Sequence, residues 1–257
     1  MKRCLIISGG SIDPETAASF CSHGRDRYDL IICADRGLEA ANAYGLVPHV
    51  ILGDYDSVNH MAFERFEGIS GSSEAGTGPA RSLNPNETWS LNTNEMPEIG
   101  MLRDKETGFL VRFIRFPSEK DESDTEIALK FAISEKAEMI DLLGATGSRL
   151  DHTLASIDLL RLPLLEGIDC RIIDGHNRIR MTGSEIVIPR NLQYGHYVSV
   201  LAWTDRVAGL SLKGMKYPFE DGFLYKGSSL GCSNEILADE GRISLREGLV
   251  LVIESRD

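Results

Sequence analysis

Two aspartates stand at i and i+2 in Gly53-Asp54-Tyr55-Asp56-Ser57, directly after the apolar run Val50 to Leu52. In a turn beyond a strand both carboxylates can aim at one hard cation. Mg2+ takes a few such oxygens and completes its octahedron with water and substrate phosphates. The same residues also make an ordinary polar loop whose aspartates cap a following helix. A second acidic segment, Lys120-Asp121-Glu122-Ser123-Asp124-Thr125-Glu126, opens a helix-like run and sets Asp121 and Asp124 three apart on one face. Capping alone accounts for acids and serine at a helix start. Two acidic turns, each just beyond an apolar strand and with Lys120 available for a phosphate, favour a metal and polyphosphate site.

A third turn, Gly144-Ala145-Thr146-Gly147-Ser148-Arg149-Leu150-Asp151-His152, again joins a strand to a helix. It offers backbone amides and a helix N-terminus to an anion. Arg149 can add a bidentate phosphate contact. The plainer alternative is a connecting turn with Asp151 as cap. His152 suits an orienting role better than that of a base. No Gly-Lys-Ser/Thr closes the loop, so this is not the Walker pattern.

The elements that must hold these turns follow a βαβ rhythm. Cys4 to Ile7, Leu30 to Cys33 and Val50 to Leu52 read as buried strands, with helices at Thr16 to Cys21 and Leu38 to Tyr44. The pattern resumes with a strand at Val111 to Phe116, a helix at Ser123 to Ser134, a strand at Glu138 to Leu143, a helix at Leu154 to Leu165 and a strand at Cys170 to Asp174. Alternation of this kind predicts an α/β domain with a mostly parallel sheet, spanning 1–174. Ligands bind beyond the carboxyl ends of such strands, where Ser8-Gly9-Gly10, Ala34-Asp35-Arg36-Gly37 and the Asp54 turn fall. Between about 68 and 108, Gly, Ser, Asn and Pro dominate, which predicts a surface insertion, disordered in part or hairpin-forming. From 175 to 257 the helical period gives way to short strand-like runs and glycine-rich turns, a small all-β domain.

With 42% hydrophobic and 26% charged residues, the 257-residue chain can bury a core without staples. A net charge of -12 excludes a general nucleic-acid binder or a protein held to anionic lipid, since both need a basic footprint. Five cysteines with no CxxC pair suggest neither a zinc cluster nor a full disulfide set. The apolar run after Met1-Lys2-Arg3 is too short for a signal peptide, and no run approaches the ~20 residues of a membrane span. The expected location is cytoplasmic.

The ordered set of Ala34-Asp35-Arg36-Gly37, Gly53 to Ser57, Lys120 to Asp124, Gly144 to His152 and Gly231-Cys232-Ser233-Asn234-Glu235 resembles the thiamine pyrophosphokinase family. Gly214-Met215-Lys216-Tyr217-Pro218 is similar to a stretch of its bacterial members. The resemblance implies a Rossmann-like α/β domain binding ATP and Mg2+, a C-terminal β-sandwich, and a homodimer with sites between the catalytic domain of one subunit and the β domain of the other. It implies metal and catalytic roles for Asp54, Asp56, Asp121 and Asp124, with the metal on Asp54, Asp56 and Asp124. ATP would meet Asp35, Lys120, Gly144, Thr146, Gly147, Arg149, Asp151 and His152. Ser233 and Asn234 would meet the thiamine pyrimidine. Arg36 and Ser148 stand where the family usually carries glycine, and the insertion is longer than usual. Two rival readings share these turns: a metal-dependent nucleotide phosphohydrolase, and a non-catalytic homologue that binds thiamine or nucleotide.

Overall fold

The computed structural model describes residues 1–56, 58–69 and 97–257. They divide into two units, Met1–Ile168 and Asp169–Asp257. In chain order the first contains β1 (Arg3–Ile7), α1 (Pro14–Cys21), α2 (Gly24–Arg27), β2 (Leu30–Ala34), α3 (Gly37–Ala43) and β3 (Val50–Gly53). A 3-10 turn at His60–Phe63 and β4 (Phe66–Gly68), β5 (Glu98–Asp104) and β6 (Leu110–Arg115) come next. The unit closes with α4 (Asp124–Ser134), β7 (Met139–Leu143), α5 (Leu150–Leu159) and α6 (Arg161–Leu165).

Strands buried on both faces are apolar throughout, not alternating. Cys4 to Ile7 of β1 and the whole of β2 are buried in this way, as is β7 except for Asp141, which accepts from the Tyr28 hydroxyl at 2.7 Å. The sheet runs β7-β1-β2-β3-β6-β5-β4. Its first five strands are parallel, and β5 and β4 are added antiparallel. β5 lies inside the stretch expected to be a surface insertion. Apart from the buried Asp104 its residues are exposed or partly buried, so the run carries little apolar signal, and its strand is defined by the ladder to β6. Residues 70–96 of that stretch lie outside the described residues.

α4 starts at an N-cap, Ser123, whose side chain accepts from the Glu126 amide at 3.2 Å. It buries Ile127, Leu129 and Phe131 and packs on β1, β2 and β3. The helix expected over Leu154 to Leu165 begins at Leu150 and breaks at Leu160. Pro163 explains the break: it has no N–H to give to the carbonyl four residues back, and its ring crowds that carbonyl.

The second unit holds β8 (Asp169–Ile173), β9 (Asn177–Thr182), β10 (Ile186–Pro189), β11 (Tyr197–Ala202), β12 (Arg206–Lys213), β13 (Phe219–Tyr225), β14 (Glu240–Ser244) and β15 (Val250–Ser255). All its ladders are antiparallel, in the orders β11-β15-β9-β8 and β10-β14-β12-β13. β8 falls in this unit and pairs with β9. Inward residues alternate along β11 and meet those of the other sheet in one core. Val198, Val200 and Val252 lie on one side, and Val207, Leu212 and Ile243 on the other. Glu254 of β15 is fully buried, ion-paired to Arg178 at 2.5 Å and Arg180 at 2.9 Å. Among the described residues no helix is long and apolar enough to cross a membrane.

Candidate functional site

Parallel neighbours in register deliver their following turns side by side. β2 and β3 pair Ala34 with Leu52, and the Asp35 amide donates to the Leu52 carbonyl at 2.9 Å. Carboxylate oxygens of Asp35, Asp54 and Asp56 thereby lie within 4.8 Å of one another. The Asp56 amide folds back onto Asp54 Oδ1 at 3.1 Å. The trio differs from the metal set expected from the sequence: Asp35 joins Asp54 and Asp56, and Asp124 is engaged elsewhere.

Asp124 is held by Lys120, whose ammonium lies 3.1 Å from Asp124 and 3.0 Å from Asp54, with its side chain only 5% exposed. Burial raises the Asp54 carboxyl, but hydrogen bonds from Lys120 and the Asp56 amide outweigh it and hold Asp54 below the usual carboxylate range. Asp56 is pushed the other way by its hydrogen bond to Asp54 and by that neighbour's charge. Burial raises Asp124 as well, and Lys120 offsets only part of the effect. Lys120 loses ground to burial and regains more from Asp54 and Asp124, ending above the ordinary lysine value. The site therefore separates a firmly ionised carboxylate from two more basic ones.

Next to the acids lies a cavity of about 710 Å3. Its floor is built where β1 and β7 run side by side. The Ser8 amide donates to Leu143 and the Gly10 amide to Gly144, both at 2.8 Å. A Cβ on Gly10 would fall 2.3 Å from the Gly144 carbonyl oxygen and 2.6 Å from that of Thr146, so only glycine permits this approach. Ser8 Oγ and Thr125 Oγ1, 2.6 Å apart, tie the first turn to the start of α4.

Among the residues expected from the sequence, Asp35, Asp54, Lys120, Asp124, Gly144, Thr146, Gly147, Arg149 and His152 line this cavity. Asp121 is exposed and absent from its lining, while Glu122, 3.3 Å from Lys130, lines it. Asp151 also lies outside the lining and is paired to Arg149 at 2.6 Å in an exposed contact. Ser8, Gly9 and Gly10 had been marked as a turn beyond a strand, but none had been given a role. The signal for them was Ser8 and the glycine pair directly after the apolar run Cys4 to Ile7; the pairing of β1 with β7 that brings it to the Gly144 turn is seen only in the structure.

In the second unit Ser233 is exposed with φ of 55°, and its amide donates to Ser199 Oγ at 3.0 Å. Asn234 is 3% exposed. Its amide group donates to the Tyr217 carbonyl at 2.8 Å and accepts from the Tyr217 and Glu235 amides, each at 2.9 Å. Asn234 therefore fastens the Gly214 to Pro218 stretch to its own turn. Lys216 lies 2.6 Å from Glu235, and His196 lies 3.3 Å from it.

Two family models match the chain. Thiamin pyrophosphokinase, catalytic domain, covers residues 103–172, and thiamin pyrophosphokinase, vitamin B1 binding domain, covers 184–250. The chain belongs to the thiamin pyrophosphokinase family. It is 26% identical over 258 residues to the thiamine pyrophosphokinase of Bacillus subtilis (strain 168), with all of both chains covered. The solved thiamine pyrophosphokinase of Bacillus subtilis is similar in fold, with a TM-score of 0.73 at 24% identity and full coverage of both chains. That of Geobacillus thermodenitrificans has a TM-score of 0.69 at 25% identity, covering 99% of this chain and 98% of the other.

Within this thiamin pyrophosphokinase family member the catalytic match contains Lys120, Asp124 and the Gly144 to His152 turn. Asp35, Asp54 and Asp56 precede the matched range, and the acidic trio is argued from geometry alone. The vitamin B1 binding match contains Ser233, Asn234 and Tyr217.

Proposed function

We propose that the chain transfers a pyrophosphoryl group from ATP to the hydroxyl of thiamine, giving thiamine diphosphate and AMP. The observation that carries this reading is the occurrence of both family domains, in order, on one chain whose acidic turns adjoin a glycine-lined cavity.

Mg2+ belongs to this reading, and the donor set fits it: three carboxylates, all hard oxygen donors, within 4.8 Å of one another. Asp35, Asp54 and Asp56 would hold the ion, which supplies charge neutralisation to the polyphosphate and the departing AMP. Asp54 stays ionised through Lys120 and the Asp56 amide. Asp124, made more basic by burial, is suited to take the proton of the attacking hydroxyl. The amides of the Gly144 to Gly147 turn, with Arg149, are suited to the phosphates once Arg149 exchanges Asp151 for an anion. Such chemistry asks the protein chiefly for position and charge, and these groups offer both.

Ser233 remains the contact proposed for the thiamine pyrimidine. Asn234 acts through the backbone it fastens. The reading also carries a Rossmann-like first domain, a β-sandwich second domain, a cytoplasmic homodimer whose sites each draw on both subunits, and no nucleic-acid or membrane partner.

The test is to incubate the protein with thiamine, ATP and Mg2+, omitting each in turn, and to resolve the products by chromatography. Thiamine diphosphate with stoichiometric AMP is expected. ATP consumed without a thiamine product would establish the hydrolase, and binding without product the sensor.

A further inference from the structure

Tyr55 separates the two aspartates of the first acidic turn and adopts φ of 63°, a left-handed conformation that a bulky residue rarely takes. Its side chain is fixed at both ends. The ring stacks on Phe113 at 4.9 Å and 14°, and Phe63 meets its edge at 5.2 Å and 87°. The hydroxyl donates to the Ile114 carbonyl at 3.0 Å. Phe113 and Ile114 lie on β6, the strand paired to β3 in register with the residues leading into the turn.

We propose that Tyr55 is a positioning residue: its aromatic anchor on β6 holds the strained turn in the one shape that brings Asp54 and Asp56 together with Asp35 for a divalent cation. A left-handed non-glycine residue persists only where its surroundings over-determine it. Asp54 is tied to Lys120 of the next acidic segment and Asp56 is exposed, so Tyr55 supplies the side-chain anchor of the turn on β6. The folded-back Asp56 amide on Asp54 is the direct product of the reversal at Tyr55. Without the anchor the turn spreads over other conformations. Apparent cation affinity then falls in proportion to the fraction of molecules that remain competent. The inference rests on the reading above for the use made of the cation, not for its binding.

The test counts Mn2+ bound to the full-length protein by electron paramagnetic resonance, without nucleotide, in wild type and in Tyr55→Phe, Tyr55→Gly and Tyr55→Ala. Tyr55→Phe keeps the ring and should bind within about threefold of wild type. Tyr55→Ala loses the anchor and disfavours φ of 63°, and should bind about tenfold or more weakly. Tyr55→Gly loses the same packing but tolerates that φ, and should fall between them. A merely structural role would move the stability of the last two variants and leave their Mn2+ affinities equal. Phe113→Leu, which removes the stacking partner and leaves the turn's residues intact, should weaken Mn2+ in the same direction as Tyr55→Ala. Equal Mn2+ affinity in wild type and the folded Ala and Leu variants overturns the proposal. The expected order in a protein that makes no thiamine diphosphate would support the positioning role while removing the proposed reaction.

Discussion

Lys120 Nζ lies 3.0 Å from Asp54 and 3.1 Å from Asp124, so one nearly buried ammonium joins the turn after β3 to the first residue of α4. Replacing it removes the counter-charge of two carboxylates at once. Lys120→Met should lose about 1–3 kcal/mol of stability in urea titrations. It should also raise the Asp54 carboxyl, which Lys120 helps to hold down. An NMR pH titration in which Asp54 is unchanged would show that the ammonium does not set its charge.

Asp35 and Asp54 come from different strands yet share one cluster with Asp56. Asp54→Asn and Asp35→Asn should each reduce thiamine diphosphate formation about a hundredfold at saturating substrates, with unchanged circular dichroism. Asp121→Asn, at an exposed position outside the cavity lining, should cost far less. A loss at Asp121 equal to that at Asp54 would restore the role that the sequence suggested.

Gly10 and Gly147 both line the cavity but face different surroundings. Gly10→Ala drives a methyl into two carbonyl oxygens, and should destabilise by about 1–3 kcal/mol and weaken ATP binding. Gly147→Ala meets only ordinary contacts, the nearest atom lying 3.7 Å away on Ser11, and should be close to neutral in both measurements. Similar losses in the two variants would contradict the crowding described at Gly10.

Glu254 is pushed up by burial, but Arg178, the Tyr194 amide and Arg180 more than reverse this and hold it below the usual glutamate range. A depressed carboxylate stabilises the fold above its unfolded pKa, about 4.3, and that contribution is lost as pH falls through the lower folded value. Glu254→Gln should cost about 3–5 kcal/mol at neutral pH by leaving two arginines without their partner. The variant should also lose part of the acid-limb slope of stability against pH. Parallel curves for variant and wild type below pH ~4 would refute the linkage.

The central strands were legible because Cys4 to Ile7 of β1 and the whole of β2 are buried apolar runs, and β7 is apolar but for the buried Asp141. β5 was not, since its half-exposed residues carry no period and only the ladder to β6 defines it. β9 carries no clear apolar run either: Asn177 to Thr182 contains two arginines whose charges are answered by Glu254, far away in sequence. At the site, residue type singled out Asp54, Asp124 and Lys120, which the structure brings into contact. It could not distinguish Asp121 from Glu122, because the direction of a side chain at a helix entry depends on the cap formed by Ser123. Nor could spacing show that the Asn234 amide is spent on the Tyr217 backbone, a contact between residues 17 apart.

The hydroxyl of Tyr55 and its acceptor on Ile114 are 59 positions apart along the chain. The acidic turn is local in sequence, yet its shape waits on a distant closure, whose entropy must be met before any contact rewards it. During refolding, β1, β2 and the two helices between them close over a shorter stretch, Cys4 pairing with Leu30. A cation-binding signal should therefore appear only once β6 has docked on β3, making metal uptake a clock for that closure.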